Sequence, residues 1–175
     1  LNHELDRLEI DDYKKASKNP LIIILDNVRS LHNIGAVFRT ADAFLIEKIY
    51  LCGITAQPPH KDIRKTALGA TQSVDWEYEE NTLDLIKKLK NQPLDIIAIE
   101  QAENAVLLNS YQPKIDKKTA FIFGNEVKGV GQEVVDECDQ VIEIPQFGTK
   151  HSLNISVSAG VCIWDYYLKI SRPSL

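Results

Sequence analysis

Three segments of this chain hold residues whose types and spacing could do chemistry. The first contains Asn33, Gly35, Arg39 and Thr40. Gly35 permits close approach of backbone. Arg39 offers a planar fork of donors suited to phosphate, and Asn33 and Arg39 are both expected to reach one end of a sheet. Taken alone, Asn33 serves equally well as a helix cap and Arg39 as a surface ion-pair partner. The second segment is Phe123-Gly124-Asn125-Glu126-Val127-Lys128-Gly129-Val130-Gly131. Its glycines make a turn whose amides can cradle a ligand. Val130 stands where a phosphate-binding P-loop needs lysine, and no dinucleotide fingerprint is present. Glu126 inside the turn would repel phosphate, so the ligand expected there is cationic or hydroxyl-bearing. The third segment joins Ile144-Pro145 to Ser152-Leu153-Asn154. Ser152 and Asn154 either start a helix or point a hydroxyl and an amide into the same pocket. His151 beside Ser152 is no hydrolase dyad, because no G-x-S-x-G elbow exists.

Each segment follows an apolar run that reads as a strand. Residues 21–25 are Leu-Ile-Ile-Ile-Leu, a strand buried on both faces. Residues 26–32 read as a polar loop, and Asn33 is expected to cap a helix reaching about residue 44, with Ile34, Val37, Phe38 and Ala41 on its inner face. Further strands are expected at 48–52, 73–78, 95–100, 119–123 and 141–144. Helices are expected at 4–17, 61–67, 82–90, 133–137 and 153–170. Strands alternating with helices predict an α/β architecture with a largely parallel sheet, whose ligands sit beyond the carboxyl ends of the strands. The last helix is apolar nearly all round, so it is either a central core helix or one that buries a second face against another subunit.

The chain has 175 residues, enough for one domain with a real core, and 44% of them are hydrophobic. No apolar stretch is long enough to span a bilayer, so no membrane partner is expected. Cys52, Cys138 and Cys162 are too few and too scattered for a disulfide framework, and no Cys or His pair has zinc-ligand spacing. These features point to a reducing, cytoplasmic setting and to no metal. The net charge of −5 argues against broad electrostatic binding of nucleic acid. A nucleic-acid partner would need a local patch, with candidates Arg29, His32, Arg39, Lys128 and Lys150, and further basic residues at Lys61, Arg64, Lys65 and His151.

Together the three segments resemble the three motifs of SpoU (TrmH-like) RNA ribose 2′-O-methyltransferases. In the first motif the matching residues are Asn33, Gly35, Arg39 and Thr40. In the second they are the apolar strand, Gly124, Glu126 and the glycine turn. In the third they are Ile144-Pro145, Ser152-Leu153-Asn154 and the apolar helix that follows. Residues 65–70 also resemble a family segment ending Gly-Ala. The resemblance covers about residues 21–168.

The resemblance implies a SPOUT fold: a largely parallel sheet flanked by helices, with a deep trefoil knot near the C-terminus, which pattern reasoning would not propose. It implies a helical extension at 1–20 and a methyltransferase domain at 21–171. It implies S-adenosylmethionine held at Ile99, Glu100, Gly124, Asn125, Gly129, Ile144 and Leu153. The catalytic set implied is Arg39, Asn33, Glu126, Ser152 and Asn154, with tRNA or rRNA as substrate. It also implies a homodimer through the knot and last helix, with each active site completed by both subunits. The chain reads as a minimal catalytic core. The alternative is a catalytically silent module of the same fold that binds the cofactor or RNA.

Overall fold

The computed structural model describes residues 8–150 and 152–171. Part of the N-terminal segment expected to be helical, and His151, lie outside them. The described chain runs α1 (Ile10–Lys15), β1 (Asn19–Asp26), α2 (Leu31–Ala43), β2 (Ile46–Cys52), α3 (Lys61–Ala67), α4 (Ala70–Ser73) and β3 (Trp76–Glu79). It continues through α5 (Thr82–Leu89), β4 (Leu94–Ile99), β5 (Val106–Leu107), β6 (Lys118–Phe123), α6 (Gln132–Asp136), β7 (Gln140–Glu143) and α7 (Ile155–Ser171).

All seven strands join one sheet in the order β3-β2-β1-β6-β4-β7-β5, and every pairing is parallel. The apolar run in β1 explains its central position. Leu21, Ile23 and Leu25 enter the core on one face, and Ile22 and Ile24 enter the core on the other. α2 and α7 cover the first face, while α5 and α6 cover the second. Ile34, Val37, Phe38 and Ala41 of α2 are fully buried, as their spacing predicts. Each of the larger ones contributes about 1.5–3 kcal/mol relative to exposure. α1 docks through Tyr13, which is buried in the main core.

Three departures from the expected elements have local causes. α2 begins at Leu31, not Asn33, because Ser30 is its cap: the Ser30 hydroxyl accepts the Asn33 backbone N–H at 3.3 Å. Ser73, expected to open a strand, instead ends the short helix α4, and the strand starts only at Trp76. β5 was not anticipated; two residues leave no periodicity to read.

α7 is buried on one side only, so it is not a central core helix. Ile155, Ala159, Cys162, Ile163 and Tyr166 are buried against the sheet, and the Tyr166 hydroxyl donates to the Pro20 carbonyl at 3.1 Å. Val157, Val161 and Trp164 lie exposed on the helix's other side, Trp164 at 50%. Among the described residues no helix is long and apolar enough to cross a membrane.

Because β6 lies between β1 and β4, the loops after β4, β6 and β7 gather at one end of the sheet. The turn from β1 into α2 lies beside them. All three chemistry-bearing segments therefore meet at the carboxyl edge.

Candidate active site

The turn after β6 is a small hairpin. Asn125 and Gly129 exchange backbone hydrogen bonds at 3.0 and 2.8 Å. Inside it the Asn125 carboxamide oxygen accepts from the Val127 and Lys128 amides. Its Nδ2 donates to the Asn27 carbonyl at 2.8 Å and ties the turn to the end of β1. Gly124 is required by close approach: a Cβ there would overlap the backbone of Gly129 and Val130. Gly129 has φ +68°, in the left-handed region that glycine adopts without strain.

Glu126 projects from this turn onto the start of α2. Its two oxygens accept from the Arg29 and Ser30 amides, each at 2.9 Å, and from Asn33 Nδ2 at 3.2 Å. Partial burial alone would raise its pKa, but these hydrogen bonds outweigh that and hold the carboxyl below the usual glutamate value. Asn33 is free to make this contact because Ser30, one turn earlier, does the capping. The Asn33 carboxamide oxygen in turn accepts from Asn154 Nδ2 at 3.1 Å. Asn154 also caps the start of α7, accepting from the Ser156 amide at 2.9 Å and hydroxyl at 2.7 Å. One polar chain, Glu126–Asn33–Asn154, thus links all three segments.

Beside this chain lies a cleft of about 520 Å³, in the range that holds small-molecule ligands. Ile99 and Glu100 after β4, Gly124, Asn125 and Gly129 after β6, Ile144 after β7, and Leu153 before α7 all line it. Glu126, Ser152 and Asn154 line it too. Sequence reasoning missed Gln101, Glu143, Gln146 and Ser158, which also face the cleft. Glu143 at least was legible as the last residue of a strand. Among the described residues, Glu100, Glu126 and Glu143 line it against one cation, Lys128. The wall therefore suits a ligand bearing positive charge and disfavours a polyphosphate. The Glu100 carboxylate accepts from the Gln101 and Val130 amides, each at 3.0 Å, so it also braces the glycine turn.

Arg39 is not in this cleft. Six residues along α2 from Asn33 place it about 9 Å further along the helix and about 120° around it. Arg39 is exposed and lines a separate cavity with Tyr13, Asp42 and the Leu68–Gly69 turn. Within one chain the expected catalytic set is therefore divided: Glu126, Ser152 and Asn154 line the cleft, Asn33 is bonded to two of them, and Arg39 stands apart.

Of the expected basic residues, Lys128 lines the cleft, while Arg29, just before α2, and His32, in its first turn, are exposed. Lys150 is exposed on the loop after β7. Lys61 and Arg64 line a different cavity with Trp76. Burial pushes the thiols of Cys52 and Cys138 up to about 12 and raises that of Cys162, so none is a thiolate nucleophile at neutral pH.

Residues 20–164 match the model of the SpoU rRNA Methylase family. The 23S rRNA (guanosine-2′-O-)-methyltransferase RlmB of Neisseria meningitidis is 31% identical over 87% of this chain and 60% of its own length. The Haemophilus influenzae enzyme of that name is 32% identical over 93% of this chain and 65% of its own. The chain thus spans less than two thirds of the length of these relatives. Among solved structures, a TrmH/SpoU tRNA modifying enzyme from A. aeolicus superposes with a TM-score of 0.79 at 30% identity. That match covers 93% of this chain and 84% of the other. An AdoMet-bound rRNA methyltransferase from Sinorhizobium meliloti gives a TM-score of 0.79 at 25% identity, over 88% and 59% of the two chains.

Proposed function

Because this chain belongs to the SpoU rRNA Methylase family, we propose that it transfers a methyl group from S-adenosylmethionine to a ribose 2′-hydroxyl of RNA, either rRNA or tRNA. The observation that carries this reading is the convergence of three sequence-distant segments on one cleft through Glu126, Asn33 and Asn154.

The cleft fits the cofactor by charge and by construction. Its carboxylates suit a sulfonium and an ammonium. Its walls are strand ends and the loops that follow them, whose amides and carbonyls would meet an adenosine. Ile99, Gly124, Ile144 and Leu153 would hold the nucleoside, with Glu100 keeping the glycine turn in place. When bound, S-adenosylmethionine supplies an electrophilic methyl group.

A ribose hydroxyl is a poor nucleophile and must lose its proton as it attacks. We assign Arg39 to this event as a clamp, not as a base, since a guanidinium stays protonated in proteins. Its fork would pair with an RNA phosphate and stabilise the oxyanion as the proton leaves. Glu126, Asn33 and Asn154 would fix the floor against which the ribose is aligned, with Ser152 at its edge. Arg29, His32, Lys128 and Lys150 would steer the RNA backbone.

The distance between Arg39 and the cleft favours a site completed by two subunits, the arginine of one serving the cleft of the other. The exposed face of α7, with Val157, Val161 and Trp164, is the surface proposed to pair. Around this core we propose an N-terminal extension that carries α1, a methyltransferase domain that begins with β1 and runs to residue 171 with a knotted C-terminal part, and a cytoplasmic setting in keeping with three free thiols.

The test is transfer of label from S-adenosylmethionine to bulk cellular RNA, followed by nucleoside analysis. Label in a 2′-O-methylated nucleoside is expected. Label on a base would overturn the reaction assigned. Binding of S-adenosylhomocysteine without transfer to any RNA would support a silent module instead.

A further inference from the structure

A cavity of about 390 Å³ lies where α3 and α4 meet the first residue of β3. It shares no lining residue with the cofactor cleft. Its size falls within the range of small-molecule sites.

Every charged residue in its lining is basic. Lys61 and Arg64 are exposed, and neither forms an ion pair among the described residues. His60 accepts the Asp62 amide on Nδ1 at 3.2 Å, so its neutral ring carries the proton on Nε2 and donates from there. Asp62 is paired with Lys65 at 2.7 Å and stays out of the lining. Thr71 and Gln72 add neutral polar groups. Trp76 packs on the main core yet remains partly exposed, and with Pro58 and Pro59 it offers flat apolar surface. An acid-free cavity in a chain of net charge −5 is the reverse of the carboxylate-lined cofactor cleft.

These groups define a ligand. A guanidinium and an ammonium without partners call for a compact anion, and the fork of Arg64 matches phosphate oxygens. The indole and the two proline rings call for a flat ring beside that anion. A mononucleotide has both parts. A polynucleotide is disfavoured by what surrounds the cavity. β3 is the edge strand of the sheet, and Asp75, Glu77, Glu79 and Glu80 crowd along it around Trp76. Glu77 and Glu79 each meet one lysine, while Asp75 and Glu80 are exposed with no ion pair among the described residues. An extended polyanion would run onto this acidic edge; a single phosphate held by Lys61 and Arg64 would not.

The cavity also backs onto that of Arg39. Arg64, Thr71 and Gln72 line the first, while Ala67, Leu68 and Gly69 line the second. The α3–α4 segment is thus a partition between the two, and the Leu68 amide donates across it to the Arg64 carbonyl at 3.2 Å. We propose that this cavity is an effector site for a mononucleotide, with Lys61 and Arg64 on its phosphate and Trp76 under its ring, and that its occupancy tightens the partition beside Arg39. The binding claim stands without the methyltransferase reading; only the meaning of the link to Arg39 rests on it.

The experiment is an amide-resolved NMR titration with adenosine 5′-monophosphate, adenosine, inorganic phosphate and a short single-stranded RNA, each with S-adenosylhomocysteine present to fill the cofactor cleft. Adenosine monophosphate should saturably shift the amides of Lys61 and Gln72 and the indole N–H of Trp76. Adenosine and inorganic phosphate, each lacking one half of the ligand, should bind about tenfold or more weakly. Arg64→Gln should weaken the nucleotide by about tenfold and leave adenosine unchanged; Lys61→Gln is the second variant should the first not fold. Equal affinities for nucleotide and adenosine, no shifts at millimolar concentration, or RNA binding at these amides as tightly as the mononucleotide would each overturn the proposal. Hydrogen exchange at the Leu68 amide should slow when the nucleotide binds; an unchanged rate would overturn the link to Arg39. If S-adenosylhomocysteine itself shifts none of Gly124, Ile144 and Leu153, the methyltransferase reading fails, while the nucleotide result is read from its own amides.

Discussion

Asn154 Nδ2 donates to Asn33 Oδ1 at 3.1 Å, joining the cap of the last helix to the first turn of α2 across 121 positions of sequence. Asn33 could not play this part if its side chain were spent on capping α2. Ser30 takes over the capping of α2, and Asn154 caps α7 with its oxygen while its nitrogen reaches Asn33. Asn33 passes the link on to Glu126. The order of donors and acceptors is fixed throughout: Asn154 N–H to Asn33 oxygen, Asn33 N–H to Glu126 carboxylate.

That polarity gives the first prediction. Asn154→Ala should leave the nearly buried Asn33 oxygen without a protein partner, costing about 1–3 kcal/mol of stability. Asn33→Asp should be worse than Asn33→Ala, because it sets a second carboxylate against Glu126. Thermal unfolding of the three variants checks the ranking; an Asn33→Asp protein as stable as Asn33→Ala would refute the polarity.

Gly124 supplies the second. A Cβ at this position would overlap the backbone of Gly129 and Val130, and neither can swing aside as a side chain could. Gly124→Ala should open the turn and weaken S-adenosylhomocysteine binding by roughly tenfold or more, as misplaced supporting groups commonly do. Calorimetric titration against the unaltered protein measures it. Unchanged affinity would remove the turn from the proposed cofactor site.

The third concerns acid. Glu126 has its pKa lowered in the folded state, so its contribution to stability is present above the unfolded value of about 4.3 and is lost as pH falls through the folded value. Glu126→Gln should therefore lower the melting temperature at pH 7, and the gap between the two proteins should narrow as pH drops below about 4. Melting curves across that range test the sign. A gap that widens in acid would mean that the carboxylate is not stabilised by the α2 amides.

Much of the fold was legible because buried parallel strands are written as apolar runs, and residues 21–25, 96–99 and 119–123 could hardly be read otherwise. Strand order was not legible, since nothing in β6 itself says that it inserts between β1 and β4. The candidate cleft was largely legible because most of its walls are strand ends or the loops that follow them, with Ile155 and Ser158 of α7 as the exceptions. The sequence puts Asn33 and Arg39 on one helix, yet the expectation that both reach one end of the sheet overlooks their spacing. Once both lie on one helix, a spacing of six turns the two side chains apart.

The apolar second face of α7 gives the fourth prediction. Trp164 is half exposed yet packs on Phe44 and Tyr167, with ring centroids 5.8 and 5.9 Å away. Trp164→Glu should leave the sheet-facing side of the helix intact while placing charge on the proposed interface. Sedimentation analysis should report a dimer for the unaltered protein and a monomer for the variant. A stable dimer in the variant would move the interface elsewhere.

The last prediction separates a shared site from a self-contained one. Arg39 lies outside the cofactor cleft of its own chain, so Arg39→Ala should abolish methyl transfer while leaving S-adenosylhomocysteine affinity within a few-fold. Gly124→Val should do the reverse, blocking the cleft while leaving Arg39 in place. Neither variant is then active alone. If Arg39 serves the partner's cleft, mixing the two after reversible dissociation places one sound cleft opposite one sound arginine in every heterodimer. Random pairing in a two-fold dimer then restores about a quarter of the unaltered activity. If Arg39 instead acts within its own chain, every cleft in the mixture remains defective and no activity returns. The mixing experiment thus asks of the solution protein what the helix geometry of α2 already poses: with which cleft Arg39 works.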